Sequence, residues 1–135
     1  MSSLIHHTEI ILYVADQQLS TTFYSNLLRK KPELNVPGMT EFILSETCKL
    51  GLMPNDGIAK IITPETKHPS TGTGIPRCEL YFSVDNPDEM HAYAIEQKIT
   101  VVSPPEDRDW GHRVVYLQDP DGHIIAFAKQ ITHTR

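Results

Sequence analysis

Apolar and polar residues alternate with a period of two along residues 8–14, which predicts a strand. Thr8, Ile10, Leu12 and Val14 fall on one face, expected to pack on a helix, and Glu9, Ile11 and Tyr13 on the other. Asp16 then stands where a helix cap belongs, and the period changes. Leu19, Phe23 and Leu27, with Tyr24 and Leu28, recur at three- and four-residue spacing through residues 17–29, the mark of an amphipathic helix. Lys30, Lys31 and Pro32 end it. Short strands are expected near residues 33–36, 40–44 and 49–53, separated by Pro37-Gly38 and by the polar residues 45–47. Pro54-Asn55-Asp56-Gly57 reads as a turn.

Residues 55–77 carry Pro64, Pro69, Pro76 and three glycines among Ser, Thr and charge, with only residues 58–62 strand-like, so they read as a linker. The earlier order then returns. Residues 78–84 predict a strand, and residues 86–97 a helix with Met90, Tyr93, Ala94 and either Gln97 or Ile95 inward. Residues 100–103 predict a short strand, residues 104–111 a loop, and residues 113–118 and 123–129 two strands joined by Asp119-Pro120-Asp121-Gly122. In that tetrad Pro fixes φ at the second position and Gly tolerates φ above zero at the fourth.

The two strand-to-helix stretches are copies. Glu9-Ile-Ile-Leu-Tyr-Val-Ala-Asp16 and Glu79-Leu-Tyr-Phe-Ser-Val-Asp-Asn86 begin 70 residues apart, each with an acid heading an apolar run and a valine five positions on. The chain therefore reads as an α+β protein of two βαβββ modules. It is one domain over residues 1–135, with module one at about 5–57, a linker at about 58–77 and module two at about 78–130. Equivalent positions of duplicated halves can converge on one cavity, which singles out Glu9 and Glu79.

Composition narrows the function classes. A net charge of -5 argues against a nucleic-acid or anionic-membrane surface, which needs a basic patch. No apolar run approaches the roughly 20 residues that span a bilayer, and residues 1–7 lack the basic and apolar regions of a secretory signal. Cys48 and Cys78 have no metal-type spacing and form no disulfide framework, so a cytoplasmic chain with reduced thiols is expected. No Gly-x-Ser-x-Gly elbow or phosphate-cradling loop occurs, and Gly72-Thr73-Gly74 is explained by linker flexibility.

Val14-Ala-Asp16 followed by Phe23-Tyr24, and Trp110-Gly-His-Arg113 followed by Asp119-Pro-Asp-Gly-His-Ile-Ile125, resemble the vicinal oxygen chelate superfamily over nearly the whole chain. That group includes glyoxalase I, bleomycin- and fosfomycin-resistance proteins and extradiol dioxygenases. The resemblance implies modules whose curved sheets enclose a cup, in a homodimer. It also implies four cup-facing positions, on the first and fourth strand of each module, which in metal-dependent members carry His, Glu or Gln. Glu9 and Glu79 match that pattern in type. Gly51 and Ala126 stand at the other two positions and offer no ligand. Two carboxylates make a poor site where about three protein ligands are wanted. His7 could supply a third, although the family places none there. The expectation is therefore a metal-independent, cofactor-free member that binds a small organic molecule, as bleomycin-resistance-type proteins do.

The remaining readings stay paired. Glu9 and Glu79 either bind ligand or pair with Lys49 or Arg77 as strand-start residues; buried together, like charges would raise at least one pKa. Tyr13 and Tyr81 are either sheet packing or aromatic walls. Trp110 is a lid or a plug at the dimer seam, Arg113 orients an anion or neutralises Asp107 and Asp109, and His123 is a turn residue pointing away from the cup. His68, His91 and His133 are assigned nothing. Strand alternation puts Glu9, Ile11, Tyr13, Glu79, Tyr81 and Ser83 on concave faces, joined by Met53, Ile124 and Ala126. Two acids, two tyrosines and Trp110 suit a cationic or hydrogen-bond-donating, partly aromatic ligand. Two other classes compete: a divalent-metal lyase, isomerase or dioxygenase resembling glyoxalase I, and a ferredoxin-like regulatory domain, which the strand count after each helix would separate.

Overall fold

A computed structural model describes residues 4–131. Among them the chain forms two compact units, one running to Thr73 and the other starting at Gly74. The first contains β1 (Thr8–Val14), α1 (Gln17–Leu28), β2 (Leu34–Val36), β3 (Met39–Ser45), β4 (Cys48–Pro54) and α2 (Asn55–Ile62). Its sheet runs β1-β4-β3-β2, with β1 parallel to β4 and the other pairs antiparallel. Leu12, Val14, Phe42, Leu50 and Leu52 are buried on one side of this sheet with Tyr24 and Leu27 of α1, each worth on the order of 2 kcal/mol of removal from water. The Asp16 carboxylate caps α1 by accepting from Leu19 N at 3.0 Å.

The buried stripe of α1 is Ser20, Thr21, Tyr24 and Leu27, whereas Leu19, expected inward, is 54% exposed. The rotation has a polar cause that hydropathy does not register. Thr21 hydrogen-bonds Thr40 of β3 at 2.8 Å, so a threonine turns inward where a leucine was expected. The stretch read as a linker is also ordered differently. Residues 58–62 belong to helix α2 rather than to a strand, and Pro54 to Gly57, read as a turn, forms the start of that helix with Asp56 in its first turn. A 3₁₀ turn follows at Pro69–Gly72, and the His68 ring lies 3.0 Å from the Asp56 carboxylate.

The second unit repeats the order with β5 (Glu79–Ser83), α3 (Pro87–Glu96), β6 (Thr100–Asp107), β7 (His112–Gln118) and β8 (Ile124–Gln130). Its sheet runs β5-β8-β7-β6, with β5 parallel to β8. Asn86 caps α3 by accepting from Glu89 N at 3.1 Å, and Pro87 sits at its first position, where no N–H is needed. Leu80, Val115, Leu117, Ile125 and Phe127 are buried with Ala94. Met90 and Tyr93 are half-buried, while Ile95 is exposed. Strand β6 continues through Asp107, beyond the loop expected from residue 104. Pro104 and Pro105 are tolerated because β6 is an edge strand whose register shifts twice there. Three strands after each helix give two βαβββ modules, the α+β architecture expected, and set the ferredoxin-like alternative aside.

The turn between β7 and β8 is built around Asp119. Its Oδ1 accepts from Asp121 N at 2.9 Å and His123 N at 2.8 Å, and Oδ2 meets His123 Nδ1 at 2.9 Å. His123 is therefore a buried structural residue, 2% exposed, and its Nε2 faces the Arg77 guanidinium at 3.3 Å. Gly122 adopts φ +91°, and a Cβ there would lie 2.8 Å from the carbonyl carbon of Gly74.

Candidate functional site

Alternation along each sheet leaves one face away from its helix, and the chemistry-bearing residues lie there. In the first unit Glu9 pairs in register with Lys49, Ile11 with Gly51 and Tyr13 with Met53, while Glu41 of β3 lies opposite Gly51. Burial, followed by the neighbouring Glu41 carboxyl and its hydrogen bond, pushes the Glu9 pKa up against the weaker pull of Lys49. Lys49 itself lies 3.6 Å from Glu41. One oxygen of Glu9, Oε2, is buried without a hydrogen-bond partner, and a Cβ on residue 51 would come within 2.6 Å of it. Gly51 thus leaves the room that the Glu9 carboxyl occupies. Tyr13 and Met53 are half-buried beside it, and His7 is exposed ahead of β1.

In the second unit Tyr81, Ala126, Tyr116 and Ser103 form a row across β5, β8, β7 and β6. Ala126 is fully buried, with Val114 and Ala128, and Tyr116 packs against this small-residue floor. Ala126 therefore supports the face from beneath. The Arg108 guanidinium stacks over the Tyr116 ring at 5.4 Å, and its Nη2 donates to Ser103 Oγ at 2.8 Å, while Nε is buried without a partner. Burial, then the nearby Glu79 and Tyr81, push the Tyr116 phenol up. The Tyr81 hydroxyl accepts from Trp110 Nε1 at 2.9 Å and lies 2.7 Å from His112 Nδ1, to which it donates when that nitrogen carries no hydrogen. Trp110, reached on a loop, is thereby fastened to the sheet next to the half-exposed Tyr81, and Glu79 is exposed at the head of β5.

Glu9, Tyr13 and Met53 are thus gathered on one face, and Glu79, Tyr81, Trp110 and the buried Ala126 on the other unit's face. The residues that sequence reasoning missed are Glu41, Arg108, His112 and Tyr116, while Lys49, weighed as a partner of Glu9, lies against Glu41. The signal for the missed residues was alternation on β3 and β7; Arg108 carried none, since it stands between Pro104-Pro105 and Gly111, among charged and aromatic neighbours read as loop. Arg113 has a structural role: it grips Asp88 through two bonds of 2.8 and 2.9 Å and Asp107 at 3.0 Å, holding the Asp88 carboxyl below its usual range. Asp107, not Asp109, is its partner on β6.

A divalent ion of the kind metal-dependent members carry finds a poor donor set. Gly51 and Ala126 present no ligand atoms, the Glu9 carboxyl is engaged by Glu41, and no group of three His, Cys, Asp or Glu among the described residues could hold a metal. Among those residues no helix is long and apolar enough to cross a membrane.

The chain is 27% identical over 126 residues to the uncharacterized protein YraH of Bacillus subtilis, covering 91% of this chain and 97% of that one. Its fold is similar to that of a glyoxalase/bleomycin resistance protein/dioxygenase from Nocardioides, with a TM-score of 0.82 at 20% identity over 100% of this chain and 89% of that one. It is also similar to a lactoylglutathione lyase from Agrobacterium tumefaciens, with a TM-score of 0.71 at 21% identity over 96% and 94% of the two chains. The model of the glyoxalase-like domain matches residues 7–132, nearly the whole length. The chain belongs to the glyoxalase-like domain family, within the vicinal oxygen chelate superfamily.

Proposed function

We propose that this protein binds a small organic molecule without a metal ion, as a homodimer, using the open faces of its sheets. The observation that carries the reading is the Tyr81 hydroxyl, bonded at once to Trp110 and His112 on a face where one more tyrosine and a carboxylate, Glu79, also lie. Exposed aromatic edges beside the Glu79 carboxylate favour a cationic, partly aromatic ligand. Glu9, Tyr13 and Met53 are the candidate ligand contacts of the first unit's face, and Glu79, Tyr81 and Trp110, with Ala126 as the floor, are those of the second unit's face. The similarity to a bleomycin resistance protein supports binding, and the donor set at Gly51 and Ala126 supports the absence of a metal. Exposed Ile10 and Ile11 on the edge strand β1 support assembly through a partner.

Titration of Trp110 fluorescence with benzyltrimethylammonium tests the reading. Binding is expected, weakened about 5- to 30-fold in Tyr81→Leu and Glu79→Gln, the range of one lost cation–π or charge contact. Binding untouched by either substitution would place the site elsewhere. Elemental analysis of protein purified without chelator should find Zn, Ni, Mn and Fe below stoichiometry. One tightly held ion per chain, lost in Glu9→Ala, would favour the lyase, isomerase or dioxygenase reading instead.

A further inference from the structure

The first unit carries two adjoining cavities of about 620 and 750 Å³ that share Thr21, Thr22 and Asn35. Together they make a groove along α1 and β2, on the helix-bearing side of the sheet, away from the face that holds Glu9 and Gly51. Such volumes suit a small molecule, and the lining is more polar than that of the usual ligand pocket. The part nearest the end of α1 is lined by Thr21, Thr22, Ser25, Asn26 and Asn35 and by three consecutive cations, Arg29, Lys30 and Lys31, with no carboxylate among them. In a chain with net charge -5 and 12 Lys and Arg residues, a quarter of the cations stand at this one place.

Two further observations mark the groove as built. Its floor is pinned by a polar network: Gln17 Nε2 donates to Thr40 Oγ1 at 2.9 Å and to Val36 O at 2.8 Å, its Oε1 accepts from Gly38 N at 2.9 Å, and Thr40 bonds Thr21 and, at 3.2 Å, Asn35 Oδ1. With Asn35 Oδ1 engaged as an acceptor, its amide N–H groups remain as donors. The second observation is Arg29, which closes α1 at φ 55°, a left-handed conformation that glycine normally supplies and that costs another residue on the order of 1 kcal/mol. Arg29 is also one of the residues that line the cavity. Lys30 is turned toward the sheet, donating to Ile43 O at 2.6 Å, which leaves Lys31 with its ammonium in solvent.

We propose that this groove is a second ligand site, for a small polyhydroxylated molecule bearing a phosphate or similar oxyanion. Arg29 and Lys31 meet the anion, and Thr22, Ser25, Asn26 and Asn35 meet the hydroxyls. The test is an amide chemical-shift titration of the full chain at low salt with glucose 6-phosphate, inorganic phosphate and glucose. Glucose 6-phosphate should shift residues 21–35 and bind at least 10-fold more tightly than either phosphate or glucose. Lys31→Glu should weaken it at least 10-fold and Asn35→Ala several-fold, both with unchanged circular dichroism. The proposal is overturned if phosphate alone binds as tightly, since that describes an unspecific basic patch, or if the shifts map outside the groove, or if both variants bind like the parent. None of these outcomes depends on Trp110 or on the open faces, so this site and the aromatic one stand or fall separately.

Discussion

Glu9 shows how one missing side chain sets the state of another. Because Gly51 has no Cβ, the Glu9 carboxyl settles over it beside Glu41, out of water and with an unpartnered oxygen. Its pKa is raised above the ordinary 4.5, so the folded chain holds this proton more firmly than the unfolded one. The stability it contributes is fully present below that ordinary value and is lost as pH rises through the raised one. Glu9→Gln, which fixes the protonated shape, should therefore stabilise the protein at pH 7 by about 1 kcal/mol, or a few degrees in Tm, and give no gain near pH 4. Thermal melts at both pH values check this, and an equal gain at both would exclude a titrating Glu9. The sequence marked Glu9 through the duplication and marked the absent ligand at Gly51. It did not reveal Glu41, because the register that sets β3 beside β4 depends on a turn and a bulge that no local pattern encodes.

At the level of elements, periodicity located every strand and the two long helices, and failed where a polar contact or an edge position overrode it. Helix α2 looked like a linker because Pro54-Asn55-Asp56-Gly57 has turn chemistry, yet Ile58, Ala59 and Ile62 share a helical stripe, with Ile58 and Ala59 buried. The Asp119 turn was placed correctly, but its reach was not, since His123 and Arg77 meet only after β5 pairs with β8. Substituting Gly122 tests that turn. Gly122→Ala adds both a strained φ and a contact 2.8 Å from the backbone of Gly74, which cannot move aside like a side-chain tip. A loss of about 2–4 kcal/mol in chemical denaturation is expected. Asp119→Ala, which strands two backbone N–H groups and the His123 ring, should cost a similar amount. A loss under about 0.5 kcal/mol in either would show that the turn relaxes without these constraints.

For the whole molecule, the feature with the widest consequence is the parallel pairing of each unit's first strand with its last: Thr8 meets Cys48, and Glu79 meets Ile124. A chain ended before Ile124 should lose hydrogen-exchange protection at Leu80 and Phe82 while keeping it at Leu12 and Val14, because the partner of β1 is still present. Loss at both sites would mean that the two units fold only together. The same pairing sets an order on biosynthesis. At roughly 5–20 residues per second a ribosome exposes β5 for seconds before β8 exists to cover it. During that interval Tyr81 and Phe82 lie on an unpaired strand, open to a chaperone or to another nascent chain. Codon speed between residues 84 and 124 is thus a physical variable for this fold: slowing it lengthens the exposure of β5, and speeding it shortens the time in which neighbouring chains on one message can pair wrongly.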